Sequence, residues 1–125
     1  MPAKSQAKIP PVTVVVEWEN AIDVGDRWTD SAMAAFDAEI ERTAPLMSAR
    51  PKVTYLYDQN VIDPAIIETA LARNAPKLHQ LADLEILPTD GLTYYKLKNF
   101  GIARATTPIS VMLDSDAAPQ PGWLE

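Results

Sequence analysis

Three stretches of this chain end an apolar run on acids: "VTVVVEWEN" at Glu17 and Glu19, "KVTYLYDQN" at Asp58, and "ISVMLDSD" at Asp114 and Asp116. Carboxylates gathered at one edge repel each other unless a cation, a hydroxyl or an N–H group lies between them. Acids at the ends of three apolar runs therefore mark a candidate binding edge. The spacing Asp114-Ser115-Asp116 is the most pointed. In an extended segment residues i and i+2 face the same side, so both carboxylates can act together. Two hard oxygen donors suit Mg2+ or Mn2+, ions that keep positions for water and phosphate oxygens. Such an ion neutralises a diphosphate and stabilises the charge it gains as a leaving group. A lone Asp-x-Asp is more commonly a solvated turn. Its place directly after an apolar strand is what favours binding.

The acids need elements to position them, and the chain alternates regularly. Strands are predicted at 12–18, 52–58, 84–88 and 108–114, from runs rich in β-branched and aromatic residues. Between the first two, Trp28, Ala32, Phe36 and Ile40 recur at i+4, which predicts an amphipathic helix over 26–47. Asp26, Thr29 or Asp30 would cap it, Pro45 would end it, and Asp37, Glu39 and Glu41 would form its wet face. A second helix is predicted over 63–75, with Asp63 as N-cap, Pro64 at the first helical position and Pro76 beyond its end. A third covers 90–106, with Gly101 inside it. His79 follows the second helix in a polar stretch and reads as a surface residue. Tyr94, Tyr95, Trp28 and Trp123 read as packing residues.

This alternation is the signature of a parallel sheet with right-handed crossovers, hence an α/β, Rossmann-like fold of three α/β/α layers. The apolar runs of the first and fourth strands suit strands covered on both faces. Ligands of such sheets bind beyond the carboxyl ends of the strands, where the acids fall.

Composition excludes several classes. At 125 residues the chain is one domain, with residues 1–10 read as a flexible leader and 11–125 as the folded part. A net charge of −6, with 11 scattered basic residues, argues against a nucleic-acid surface. With no cysteine there are no disulfides and no thiolate site. No apolar stretch approaches the roughly 20 residues of a membrane span, so a cytoplasmic protein is expected.

Taken in order, "VTVVVEWENA", "KVTYLYDQN", "GLTYYKLKNFGIARAT" and "ISVMLDSDAAPQPGWLE" resemble the nucleotide-binding half of a family 2 glycosyltransferase of the GT-A fold. The most specific part is "KNFGIARAT" followed by "VMLDSDAAPQPGWLE", similar to the family's Asn-x-Gly-x-x-x-Ala helix, strand, Asp-x-Asp and Pro-x-x-Gly-Trp-Leu turn. The resemblance implies a divalent metal, Mn2+ or Mg2+, a nucleoside-diphosphate sugar (a UDP-sugar, as is commonest in the family) and a saccharide or other hydroxyl acceptor. Glu17, Trp18 and Glu19 would line the nucleotide pocket, and Asp58 would accept a hydrogen bond from the base. Lys98 and Asn99 would lie near the nucleotide sugar. Asp114 would face the ribose or the metal's water shell, and Asp116 would hold the metal against the diphosphate.

There are departures from the family pattern. Glu-Trp-Glu-Asn stands where the family often has Pro-Thr-Tyr-Asn, and Asp58-Gln59-Asn60-Val61 replaces Asp-Asp-x-Ser, so only the first acid transfers. The family's acceptor site and general base lie downstream of Asp-x-Asp, where this sequence has nine residues. The expectation is therefore a donor-binding portion, truncated at its carboxyl end and inactive alone, which in a longer protein could work at the cytosolic face of a membrane. The alternatives are a non-catalytic nucleotide-binding or interaction module on the same scaffold and, ranked last, a phosphotransfer enzyme resembling the haloacid dehalogenases. In that last class Asp-x-Asp follows the first strand, not the fourth.

Overall fold

The computed structural model describes residues 9–18, 26–90, 94–104 and 106–114. Four strands, β1 (Val12–Glu17), β2 (Lys52–Asp58), β3 (Asp83–Thr89) and β4 (Ile109–Asp114), form one sheet in the order β3-β2-β1-β4. Every pairing is parallel. The helices are α1 (Asp26–Thr43), α2 (Pro64–Asn74), α3 (Pro76–Leu81) and α4 (Tyr94–Arg104). The α/β, Rossmann-like reading of the sequence agrees with this arrangement. No described helix is long and apolar enough to cross a membrane.

Strand alternation divides the core. Val12, Val14 and Val16 of β1 join Val53, Tyr55 and Tyr57 of β2 on one face. Met33, Phe36 and Ile40 of α1, Ile67 and Leu71 of α2 and Leu78 of α3 cover that face. The opposite face buries Val15 and Leu56, with Leu87 and Met112 packed beside them, and α4 lies over it. A β-carbon on Gly101 would overlap a methyl of Val15 and lie 3.2 Å from Leu56 Cδ1. Glycine is what lets α4 approach the sheet so closely.

The strands behave differently from one another. β1 is buried at all six positions, as expected of a central parallel strand. β4 fits that expectation only at its carboxyl end. Leu113 is buried, but Ile109 and Ser110 are exposed, because β1 is the one strand paired with β4 among the described residues. Residues 9 and 10, assigned to a leader, are part of the fold. Ile9 bridges Met47, and its N–H donates to Leu46 O at 2.9 Å. The rest of that leader, 1–8, lies outside the described residues.

The helices correct the sequence reading in four places. Thr43 donates its hydroxyl to Glu39 O at 2.7 Å, and α1 gives way there to a 3-10 turn, Ala44–Leu46, with Pro45 in it. Asp30 lies inside α1 rather than capping it. Its carboxylate instead accepts from Arg73 and Asn74 in the last turn of α2, at 2.9 and 2.8 Å. Pro76 starts a helix as well as following one, since its fixed φ and missing N–H suit a first helical position.

The fourth correction concerns the supposed wet face of α1. Only Glu41 is exposed; Asp37 and Glu39 are buried. Glu39 is covered by the Arg42 guanidinium, which donates to both its oxygens at 3.1–3.2 Å. Asp37 accepts the Leu78 N–H at 2.6 Å, and so caps the first turn of α3 from another helix. Ala75, the residue before α3, has no side chain able to do this.

Burial raises the Asp37 pKa, against the lowering effect of the Leu78 and Lys77 backbone N–H groups. The fully buried Tyr55 phenol is pushed up too, by burial first and by the Asp37 charge second. For Asp37 the folded pKa lies above the unfolded one. Its contribution is therefore largest below about pH 4 and declines as pH rises through the raised folded value. Asp37→Asn keeps an oxygen acceptor for Leu78 without the buried charge. The urea midpoint of this variant relative to wild type should be higher at about pH 7 than at about pH 3. The reverse order would show that the charge itself holds α3.

Candidate functional site

The chain leaves β1 to build β2 and β3 on one side and later returns to place β4 on the other. The connectivity therefore reverses between β1 and β4, and at the carboxyl ends of that strand pair a parallel sheet opens a crevice. The last register pair there is Glu17 with Asp114. Glu17 is fully buried and is engaged rather than free. Acids directly opposite on adjacent strands destabilise the sheet unless a proton, a donor or a cation compensates them. Two positions predicted from separate parts of the sequence are thus register partners at the switch point.

The exits of β2 and β3 form a second cluster beside it. Asp58 Oδ1 accepts the Asn60 N–H at 2.9 Å, an Asx turn that fixes the carboxylate over the strand end. Asn60 Nδ2 donates to Asp90 Oδ1 at 2.6 Å, and the Gln59 N–H donates to Thr89 O at 2.9 Å. Thr89 is buried and donates its hydroxyl to Tyr57 O at 2.9 Å. Asn60 and Asp90 thereby lock the β2 and β3 exits together. The sequence reading gave Asn60 no role, although Asp-x-Asn after a strand is a recognisable Asx-turn signal.

The remaining predicted site residues scatter. Trp18, expected to line a pocket, is buried in the core with its ring 5.9 Å from that of Tyr55. Asn99 is exposed on α4, and Lys98 precedes it on the same helix. Glu19 and Asp116 lie outside the described residues, as does the Pro-x-x-Gly-Trp-Leu segment. Among the described residues no three His, Cys, Asp or Glu side chains are grouped to hold a metal ion.

Sheet order and switch point define a Rossmann-like parallel α/β domain. No protein-family model matches the chain, and no curated protein does. Among solved structures it is similar to protein Rv1636 from Mycobacterium tuberculosis H37Rv, at 19% identity, over 83% of this chain and 71% of that one, with a TM-score of 0.43. A likeness at this level transfers no activity.

Proposed function

We propose that the chain is the donor-binding part of a metal-dependent glycosyltransferase of the family 2, GT-A kind, taking a nucleoside-diphosphate sugar, with UDP as the expected nucleotide. The observation that carries this reading is the register pair of Glu17 and Asp114 at the β1/β4 switch point. Asp58 supports it, held by its Asx turn at the neighbouring strand exit, where a nucleobase would be read in this reading.

The donor set consists of carboxylate oxygens, the ligand type that Mg2+ and Mn2+ take. Asp114 and Asp116 would hold the ion, which when bound supplies charge neutralisation for a diphosphate. Glu17, Glu19, Lys98 and Asn99 would surround the nucleotide. Trp18 would act from beneath, by packing the end of β1.

Calorimetry with UDP and GDP, each with and without Mn2+, tests the proposal. UDP should bind at least about tenfold more tightly with Mn2+, and Asp116→Ala should abolish that difference. Absence of binding by either nucleotide overturns the reading. Metal-independent UDP binding, unchanged by Asp116→Ala, would instead assign a nucleotide-binding module without transferase chemistry.

A further inference from the structure

Parallel sheets are ordinarily apolar on both faces, and the face under α4 breaks that rule at its amino-terminal end. In register across the strands, Asp83, Lys52, Thr13 and Ser110 form one row. Glu85 and Thr54 begin the next row, which turns apolar at Val15 and Met112. α4 docks through Gly101 on the apolar part. What it leaves is a groove of about 250 Å³ between its last turn and the sheet, lined by Thr13, Lys52, Thr54, Glu85, Gly101 and Arg104. A second hollow of about 240 Å³ continues it past Lys52, Thr54 and Glu85 toward Asp83.

The groove has a built floor and two cationic walls. Thr13 and Thr54 are 3% and 8% exposed, hydroxyl residues set where a sheet interior normally has aliphatic ones. Their hydrogens have partners inside the protein. Thr107 donates to Ile109 O at 2.8 Å, which leaves Thr13 to donate to Thr107 at 2.7 Å, while Thr54 reaches Glu85 at 3.4 Å. The free donors are therefore on the walls. Lys52 is exposed and makes no ion pair with a described residue. Arg104 meets Glu85 through one nitrogen at 3.4 Å and stacks over Phe100, 5.9 Å from the ring centre. The other nearby acid, Asp83, is held by Arg50 at 2.9 Å. Two cations thus face one carboxylate, itself held loosely, in a chain of net charge −6.

We propose that this groove binds a small tetrahedral oxyanion, inorganic phosphate or the phosphate of a small monoester, between Lys52 and Arg104. The guanidinium edge not used by Glu85 gives paired N–H donors, and Lys52 gives a point charge opposite them. The volume admits a phosphate with its waters or a short ester. The site lies at the amino ends of the strands, opposite the crevice assigned to the nucleotide, so it stands or falls independently of that assignment.

Titration of the full chain with inorganic phosphate at constant ionic strength, followed by amide nitrogen–proton correlation spectra, tests it. Saturable shifts should cluster at Thr13, Thr54, Gly101 and Thr106, the last of which also lines the groove. Lys52→Gln should weaken binding about tenfold, and Glu85→Gln, by removing the competing carboxylate, should tighten it several-fold. Lys77→Gln, which alters a cation paired with Glu41 elsewhere, should leave it unchanged. Glycerol phosphate in a parallel titration distinguishes the sources: tighter binding marks a monoester, equal binding free phosphate. Non-saturating shifts spread over the surface, an equal response to acetate, or weaker binding in Glu85→Gln would each overturn the proposal.

Discussion

Gly101→Val should lower the unfolding free energy by about 3 kcal/mol, at the upper end of the usual cost of overpacking a core. In urea that is a fall in midpoint of about 1 M or more. The new side chain has nowhere to go. Its β-carbon would sit on Val15, and both Val15 and Leu56 are fully buried on the two central strands, each bonded to neighbours on both sides. α4 would have to lift from the sheet. Gly101→Ala separates this from backbone propensity, because alanine in a helix interior gains about 1 kcal/mol over glycine. At an unconstrained position Gly101→Ala would stabilise the protein. Here it should still cost about 1 kcal/mol net, and a raised urea midpoint would show that α4 does not rest on Val15. Lys98 and Asn99 ride on the same helix, so UDP affinity should fall with the displacement if the proposed function holds.

Phe36→Ala should cost about 3–5 kcal/mol, a large share of the 5–15 kcal/mol that holds a domain of this size together. Phe36 is 1% exposed at the middle of α1, in the same cluster as Trp18 and Tyr55. Its removal leaves a cavity between α1 and the sheet. Close packing limits collapse, so the cost includes a cavity term beside the lost burial. Ser31→Ala, on the exposed side of the same helix, should change stability by less than about 0.5 kcal/mol. Equal losses in the two variants, measured by urea unfolding, would mean that α1 is not packed as described.

Much of the scaffold was legible because its signals are local. The β-branched run of β1, the Asp63-Pro64 start of α2 and the period of α1 each act within a few residues, and each element forms where expected. The misreadings came where one residue type serves two uses. Pro76 both follows α2 and opens α3. Asp37 and Glu39 look like solvated helix acids because nothing nearby in sequence reveals the Leu78 N–H, and because Arg42 can turn an exposed acid into a covered pair.

The sequence by itself determined that acids end the strands, that the strands alternate with helices, and that this combination makes a parallel sheet. Strand order was beyond it, since pairing energy depends on which strands meet in space and not on their spacing along the chain. Only the tertiary structure put β4 beside β1, and with it Asp114 in register with the buried Glu17. It also decided that α4 would cover the apolar part of its sheet face and leave Lys52, Thr54 and Glu85 lining a groove. The reason is steric: a single glycine fixes how closely that helix can approach, and where it must sit.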